Sequence, residues 1–156
     1  MSRWTGSWLP GSGDEVSAQR WPGERMGLPE RGEGSVASGG VRFLALVVDL
    51  VLASLATSIA IPFDFDDPAA MWTRNLWAGA VWLLITVAGV GLAGFTPGKA
   101  LLGMRVVRID GQPIVGPVRA LGRAVLTGIL VPAAIVDKDG RGLHDRFVGT
   151  VELRTR

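Results

Sequence analysis

The 156-residue sequence contains no cysteine and no tyrosine, holds a single histidine, and draws only 19% of its residues from Asp, Glu, Lys and Arg. The lack of cysteine excludes a disulfide framework, a thiolate metal site and a cysteine nucleophile, and leaves the compartment unmarked by redox chemistry. One histidine excludes a multi-histidine metal centre within one subunit. Although the pI is near 9.9, the formal net charge is only +2, because 14 acidic residues offset 16 basic ones. Nucleic-acid binding needs a basic stripe interleaved with aromatics, whereas here the arginines flank apolar runs, so no nucleic-acid partner is expected. What the chain has in plenty is hydrophobic residues, 48%, together with 22 glycines. That composition predicts a small membrane protein whose first partner is the lipid bilayer.

The glycines form one pattern that must be weighed for cofactor chemistry. GVGLAGFTPGKA, residues 89–100, contains Gly89, Gly91 and Gly94 at dinucleotide-fingerprint spacing, followed by Gly98-Lys99. The fingerprint requires a strand before it and a helix after it, but these glycines lie inside an apolar run. A phosphate loop would need glycine at 93 and a hydroxyl at 100, and both positions are alanine, Ala93 and Ala100. The glycines are expected to let another helix approach closely. No cofactor is expected.

Residues 1–39 mix Gly, Ser, Pro and charge without apolar periodicity and predict a disordered tail. They lack the apolar core and small-residue cleavage site of a signal peptide, so the tail is not expected to be removed. Its Trp4, Trp8 and Trp21 are either contacts with the bilayer interface or a partner, or incidental. The remainder, 40–154, predicts one membrane domain. VRFLALVVDLVLASLATSIAI, residues 41–61, is long enough as a helix to match a hydrocarbon core of about 30 Å. NLWAGAVWLLITVAGVGLAGF, residues 75–95, carries no charge and is flanked by Trp72 and Trp77 as interfacial anchors. Residues 102–116 alternate around Asp110-Gly111 and predict a β-hairpin, with Pro113 confining its second strand to an edge. TVELR, residues 150–154, reads as a third short strand able to pair with it. AVLTGILVPAAIV, within 117–136, would make a helix of only about 20 Å and predicts a re-entrant or interface-parallel segment bent at Pro132. The expected fold is an all-α membrane protein with two transmembrane helices, a short re-entrant or interfacial third helix, a small cytoplasmic β-hairpin and a C-terminal segment, 137–156.

Basic residues set the orientation. Lys99, Arg105, Arg108, Arg119 and Arg123 follow the second span, while Asp64, Asp66 and Asp67 crowd the loop between the spans. The positive-inside rule then places both termini and the hairpin in the cytoplasm.

Three separated pieces, VRFLALVVDLVLA, TPGKALLGMRVVRIDGQPI and GLHDRFVGTVEL, together resemble the RDD family of small bacterial membrane proteins, over roughly residues 40–154. The apolar stretch before GLHDR is shorter than the family's usual pattern. By the resemblance the family arginine is Arg42 and its two aspartates are Asp49 and Asp145. The resemblance implies a bacterial inner membrane location and transport of unidentified ligands, some relatives resembling cation/proton antiporters.

Asp49 lies about 12 Å into the first span, where an ionised carboxylate costs several kcal/mol unless sheltered. Ala45, Asp49, Ala53 and Thr57 recur every fourth residue and define a small, polar packing face with Arg42 above it. Two readings stand: Asp49 is a proton or cation site tuned by Arg42 or by a basic residue of the C-terminal segment, or the two form a structural ion pair. His144 and Asp145 offer an imidazole and an orienting carboxylate, or a structural element in which Asp145 caps a helix or binds an arginine of the hairpin loop. No nucleophile motif accompanies them, and no enzyme activity is expected. Lys99 meets lipid phosphate or the helix end, and Asp64, Asp66 and Asp67 read as solvated loop charge. Two functions follow: transport of an ion or small ligand through an oligomer that gathers Asp49 side chains around a shared path, or a non-catalytic adaptor that docks a partner membrane protein through tail and hairpin.

Overall fold

The computed structural model describes residues 20–129 and 140–156. Two long helices dominate it. α1, Gly39–Ala60, and α2, Pro68–Ala88, are each long and apolar enough to cross a membrane. α1 buries Ala45, Asp49, Ala53 and Thr57 and exposes most of its large apolar side chains, so the four-residue stripe is its packing face, as its periodicity predicts. The chain turns between the helices through Asp64, whose Oδ1 accepts from the N–H groups of Asp66 and Asp67. Asp67 then caps α2 by accepting from Ala69 N at 2.8 Å, with Pro68 in the first turn. The second apolar helix therefore starts at Pro68 rather than near residue 75. Arg74 consequently lies inside α2, buried, donating to the Ser54 carbonyl at 2.8 Å with its guanidinium over the Phe63 ring.

α2 runs into a π-helical turn, Gly89–Ala93, and stops at Gly94, whose φ of 78° lies in the left-handed region that favours glycine. Of the glycines expected to admit a neighbouring helix, Gly91 does so: a Cβ there would meet Pro117 at 3.3 Å. Gly89 instead faces the chain's own turn at Phe95. A short helix α3, Pro97–Leu101, leads to strand β1, Met104–Arg108. Next come helix α4, Pro117–Gly128, helix α5, Leu143–Val148, and strand β2, Thr150–Arg154.

The expected hairpin is corrected. β1 pairs antiparallel with β2, from Met104 opposite Arg154 to Arg108 opposite Thr150, and residues 112–116 form no strand. Pairing with β2 buries Met104, Val106 and Val151, whereas the hairpin partner would carry Pro113, which has no N–H to give a ladder. The exposed Asp110 bonds within its own loop instead, accepting from Arg108 and from Gln112 N. The strand expected at 150–154 is present and does the pairing.

The opposite edge of β2 is covered by the segment expected to be unstructured. Val36 bridges Leu153, Gly34 N donates to the Arg154 carbonyl, and Ala37 N donates to the Glu152 carbonyl. Trp21 anchors the same segment by donating to the Leu28 carbonyl at 2.9 Å. An unpaired strand edge offers a row of hydrogen-bonding groups, and these supply the ordering energy that composition alone does not show. Trp4, Trp8 and the bend expected at Pro132 lie outside the described residues. α4 is about 18 Å long, with Ala120, Arg123 and Ala124 buried and Val118, Leu121, Val125 and Ile129 exposed along the other side. It is too short to cross alone.

Candidate functional site

Asp49 holds the turn that follows α2 against the first helix. Its Oδ2 accepts from the Thr96 hydroxyl at 2.5 Å and its Oδ1 accepts from Gly98 N at 2.7 Å. Thr96 caps α3 by accepting from Lys99 N, and Pro97 fills the first helical position. Gly98 lies so close to α1 that a Cβ there would be 2.4 Å from the Ala45 carbonyl oxygen. The four residues of TPGK therefore contribute separately: Thr96 caps the helix, Pro97 starts it, Gly98 permits the close approach and Lys99 brings a charge.

That charge enters a buried ionic cluster. Lys99 Nζ donates to Glu152 Oε1 at 2.8 Å. Arg123, projecting from α4, donates to Asp145 Oδ1 and to Glu152 Oε1. Arg42 completes the group with Nε 3.4 Å from Glu152 Oε2 and Nη1 3.8 Å from Asp145 Oδ2. Thr150 donates to Asp145 at 2.7 Å, and His144 Nε2 lies 3.4 Å from Arg123 Nη2. Asp145 and Glu152 are essentially inaccessible to solvent. Burial alone would raise the Glu152 carboxyl, but Lys99, Arg123 and Arg42 outweigh it and hold its pKa well below the ordinary value.

Arg42, Asp145 and His144, expected from the sequence as site residues, are thus brought together. Asp49 stands nearby but does not pair with Arg42, whose partners are Glu152 and Asp145; the direct Arg42–Asp49 ion pair is replaced. Sequence reasoning missed Glu152, Lys99 and Arg123 as one set. The available signal was a lone acid in the strand TVELR, in a chain whose cations sit at the ends of apolar runs.

His144, Asp145 and Glu152 bring potential ligand atoms within 4.8 Å of one another. Their carboxylates already accept from Arg123 and Lys99, and a divalent cation there would displace or face three basic side chains. The set does not fit a metal.

Burial depresses the His144 pKa, the pull of Asp145 toward the charged form being the smaller effect. Folded His144 therefore binds a proton less readily than unfolded His144. Its stabilising contribution is complete above the unfolded value of about 6.5 and is lost as pH falls below it. Glu152, also depressed, pulls the same way only below its ordinary value of 4.5. In detergent, stability at pH 5.5 should fall below that at pH 7.5 by up to about 1.4 kcal/mol. His144→Gln should flatten this slope, and a slope unchanged in the variant would assign it elsewhere.

A cavity of about 440 Å³ opens beside the cluster. Its lining includes Arg42, Lys99, Arg123, His144 and Glu152 of the cluster, Asp49 and Thr96, and Trp82 and Thr86 of α2. Among the described residues, six buried polar atoms of this lining have no hydrogen-bond partner: Arg42 Nε and Nη2, Trp82 Nε1, the Thr86 hydroxyl, His144 Nδ1 and Glu152 Oε2. The set mixes donors with the Glu152 carboxylate oxygen, and each such group is costly to bury unsatisfied.

Residues 36–149 match the model of the RDD family. No curated protein and no solved structure is matched.

Proposed function

We propose that this chain, which belongs to the RDD family, transports an ion or small ligand, with its buried cavity as the binding site and an oligomer completing the path. The cavity carries this reading: it is the place where charged and unsatisfied polar groups meet at the end of two membrane-length helices. Polar groups at such depth usually mark a substrate or ion route. Two crossings enclose no pore alone, so protomers associate along the exposed apolar faces. The basic residues after α2 and the acidic loop between α1 and α2 favour an orientation with both termini in the cytoplasm of a bacterial inner membrane. Asp49 lines the cavity and fixes the turn carrying Lys99, which makes it the residue most sensitive to charge removal.

The test is ion flux in proteoliposomes under an imposed pH gradient. Asp49→Asn, which keeps one oxygen to accept a hydrogen bond, is expected to leave the protein folded and oligomeric and to abolish flux. A wild-type protein that moves no ion and instead retains one stoichiometric protein partner would favour the adaptor reading.

A further inference from the structure

The course of α4 follows from what its two ends touch. Its first residue packs at the end of the second long helix: a Cβ on Gly91 would lie 3.3 Å from Pro117 Cα and 3.4 Å from Ala120 Cβ. Its last residue packs further back, where a Cβ on Gly128 would lie 3.7 Å from the Trp82 ring. From Gly91 back to Trp82 is about 13 Å of helix, and from Pro117 to Gly128 about 16 Å. The similar lengths mean that α4 runs antiparallel beside α2 rather than across its end. Trp82 stands near the middle of the 26-residue apolar stretch Pro68–Ala93. A second set of neighbours gives the same depth: Val125 and Gly128 share an apolar groove with Leu50 and Gly79, near the middles of α1 and α2.

Charge falls away along α4 in the same direction. Arg119, in its first turns, has Nη1 3.8 Å from Asp110 Oδ2 in the preceding loop. Beyond it the one charge is Arg123, which is turned into the buried cluster. Leu121, Val125 and Ile129, at helical spacing along one face, are exposed. In water such a row would be a bare hydrophobic patch. The chain is back beside the sheet at Gly140, where a Cβ would meet Pro22 at 2.8 Å and Val36 at 3.2 Å. That is the side on which α2 ends, because Val106 N of β1 donates to the Gly94 carbonyl.

We propose that α4 is a half-membrane helix: it enters the bilayer from the side of the β1–β2 sheet, ends near mid-depth, and presents Leu121, Val125 and Ile129 to the acyl chains of that leaflet. Hydrocarbon is the occupant its surroundings supply, since the row lies level with the exposed Leu84 and Leu92 on and just beyond α2. A helix lying flat in the interface would keep one depth along its length, and its ends would not meet α2 about 13 Å apart. Backbone that stops at membrane depth is tolerated where protein packs against it, and α1 and α2 flank the end of α4 at the groove. The inference rests on α1 and α2 crossing a bilayer and is independent of transport.

The cysteine-free sequence allows single cysteines to be read without background. Val118→Cys, Leu121→Cys, Val125→Cys and Ile129→Cys, all at exposed positions, each carry a fluorophore in full-length protein reconstituted into phosphatidylcholine vesicles. Leu92→Cys and Leu84→Cys, also exposed, serve as depth markers on the second span. Quenching by lipids brominated near the chain end is divided by quenching by lipids brominated near the head group. This ratio is expected to rise at least twofold from position 118 to position 129, in step with its rise from 92 to 84. A ratio that is flat along α4 while it rises along α2 would overturn the assignment, because the helix then lies along the surface. Weak quenching by both lipids at 121, 125 and 129 would also overturn it, because a second copy or another protein then covers the row. A flat ratio at 92 and 84 would overturn the membrane reading itself, and this inference with it. No ion gradient is used, so a protein that shows the slope but moves no ion overturns only transport.

Discussion

Arg123→Leu is expected to destabilise the protein by about 3–5 kcal/mol, the usual loss when one partner of a buried ion pair is removed. Among the described residues, Arg123 is the one side chain that donates to both Asp145 and Glu152. Its removal leaves Glu152 with Lys99 and the more distant Arg42, and leaves Asp145 with Thr150, His144 Nε2 at 3.5 Å and Arg42 at 3.8 Å. Leucine restores the volume but neither donor. Both acids are buried, so the orphaned charges are screened little by solvent. Denaturation midpoints in a mild detergent measure the effect. Adding Asp145→Asn to Arg123→Leu should recover part of the loss, because it withdraws one of the two unmatched charges. A single variant within about 1 kcal/mol of wild type would show that the cluster is hydrated and contributes little.

Gly98→Val should cost at least about 3 kcal/mol, at the upper end of overpacking losses. The new Cβ would sit 2.4 Å from the backbone carbonyl oxygen of Ala45 and 2.9 Å from Asp49 Oδ1. Neither atom can rotate away without moving α1 or breaking the hydrogen bond from Gly98 N. The expected result is a lowered melting temperature together with loss of the Lys99–Glu152 contact. Gly79→Ala provides the opposite case. Position 79 has nothing within 4 Å of an added Cβ, and replacing glycine inside a helix should stabilise by up to about 1 kcal/mol. Equal effects at the two positions would mean that α3 does not press on α1.

The periodic parts of the structure were legible in the sequence because their physics is local. A carboxylate at bilayer depth demands shelter, and a four-residue repeat of small side chains shows which helix face provides it, so Ala45, Asp49, Ala53 and Thr57 could be placed from the sequence alone. What shelters Asp49 was harder to see. Thr96 and Gly98 are 47 and 49 residues away, and nothing in TPGK read alone distinguishes a cap for α3 from a phosphate loop that fails at two positions. The start of α2 was readable in principle from Asp67-Pro68, a cap followed by a helix-initiating proline, but the acidic loop obscured it. The hairpin expectation failed because Asp110-Gly111 is a sound turn signal with an unsuitable second strand, and a more distant segment, TVELR, outcompeted it for β1. Glu152 illustrates the general difficulty: its importance comes from Lys99, Arg123 and Arg42 on three other elements, a convergence that alternation within five residues cannot display.

The order of charges along the chain has a consequence for biosynthesis. Arg42, Lys99 and Arg123 all precede Asp145 and Glu152, and N-terminal portions emerge first during translation. The nascent polypeptide must therefore keep three guanidinium or ammonium groups hydrated, or against lipid head groups, until the two acids arrive. Val36 and its neighbours likewise wait for β2 before their own pairing closes. Formation of α1 and α2 and completion of the salt-bridged centre are thus separated in time.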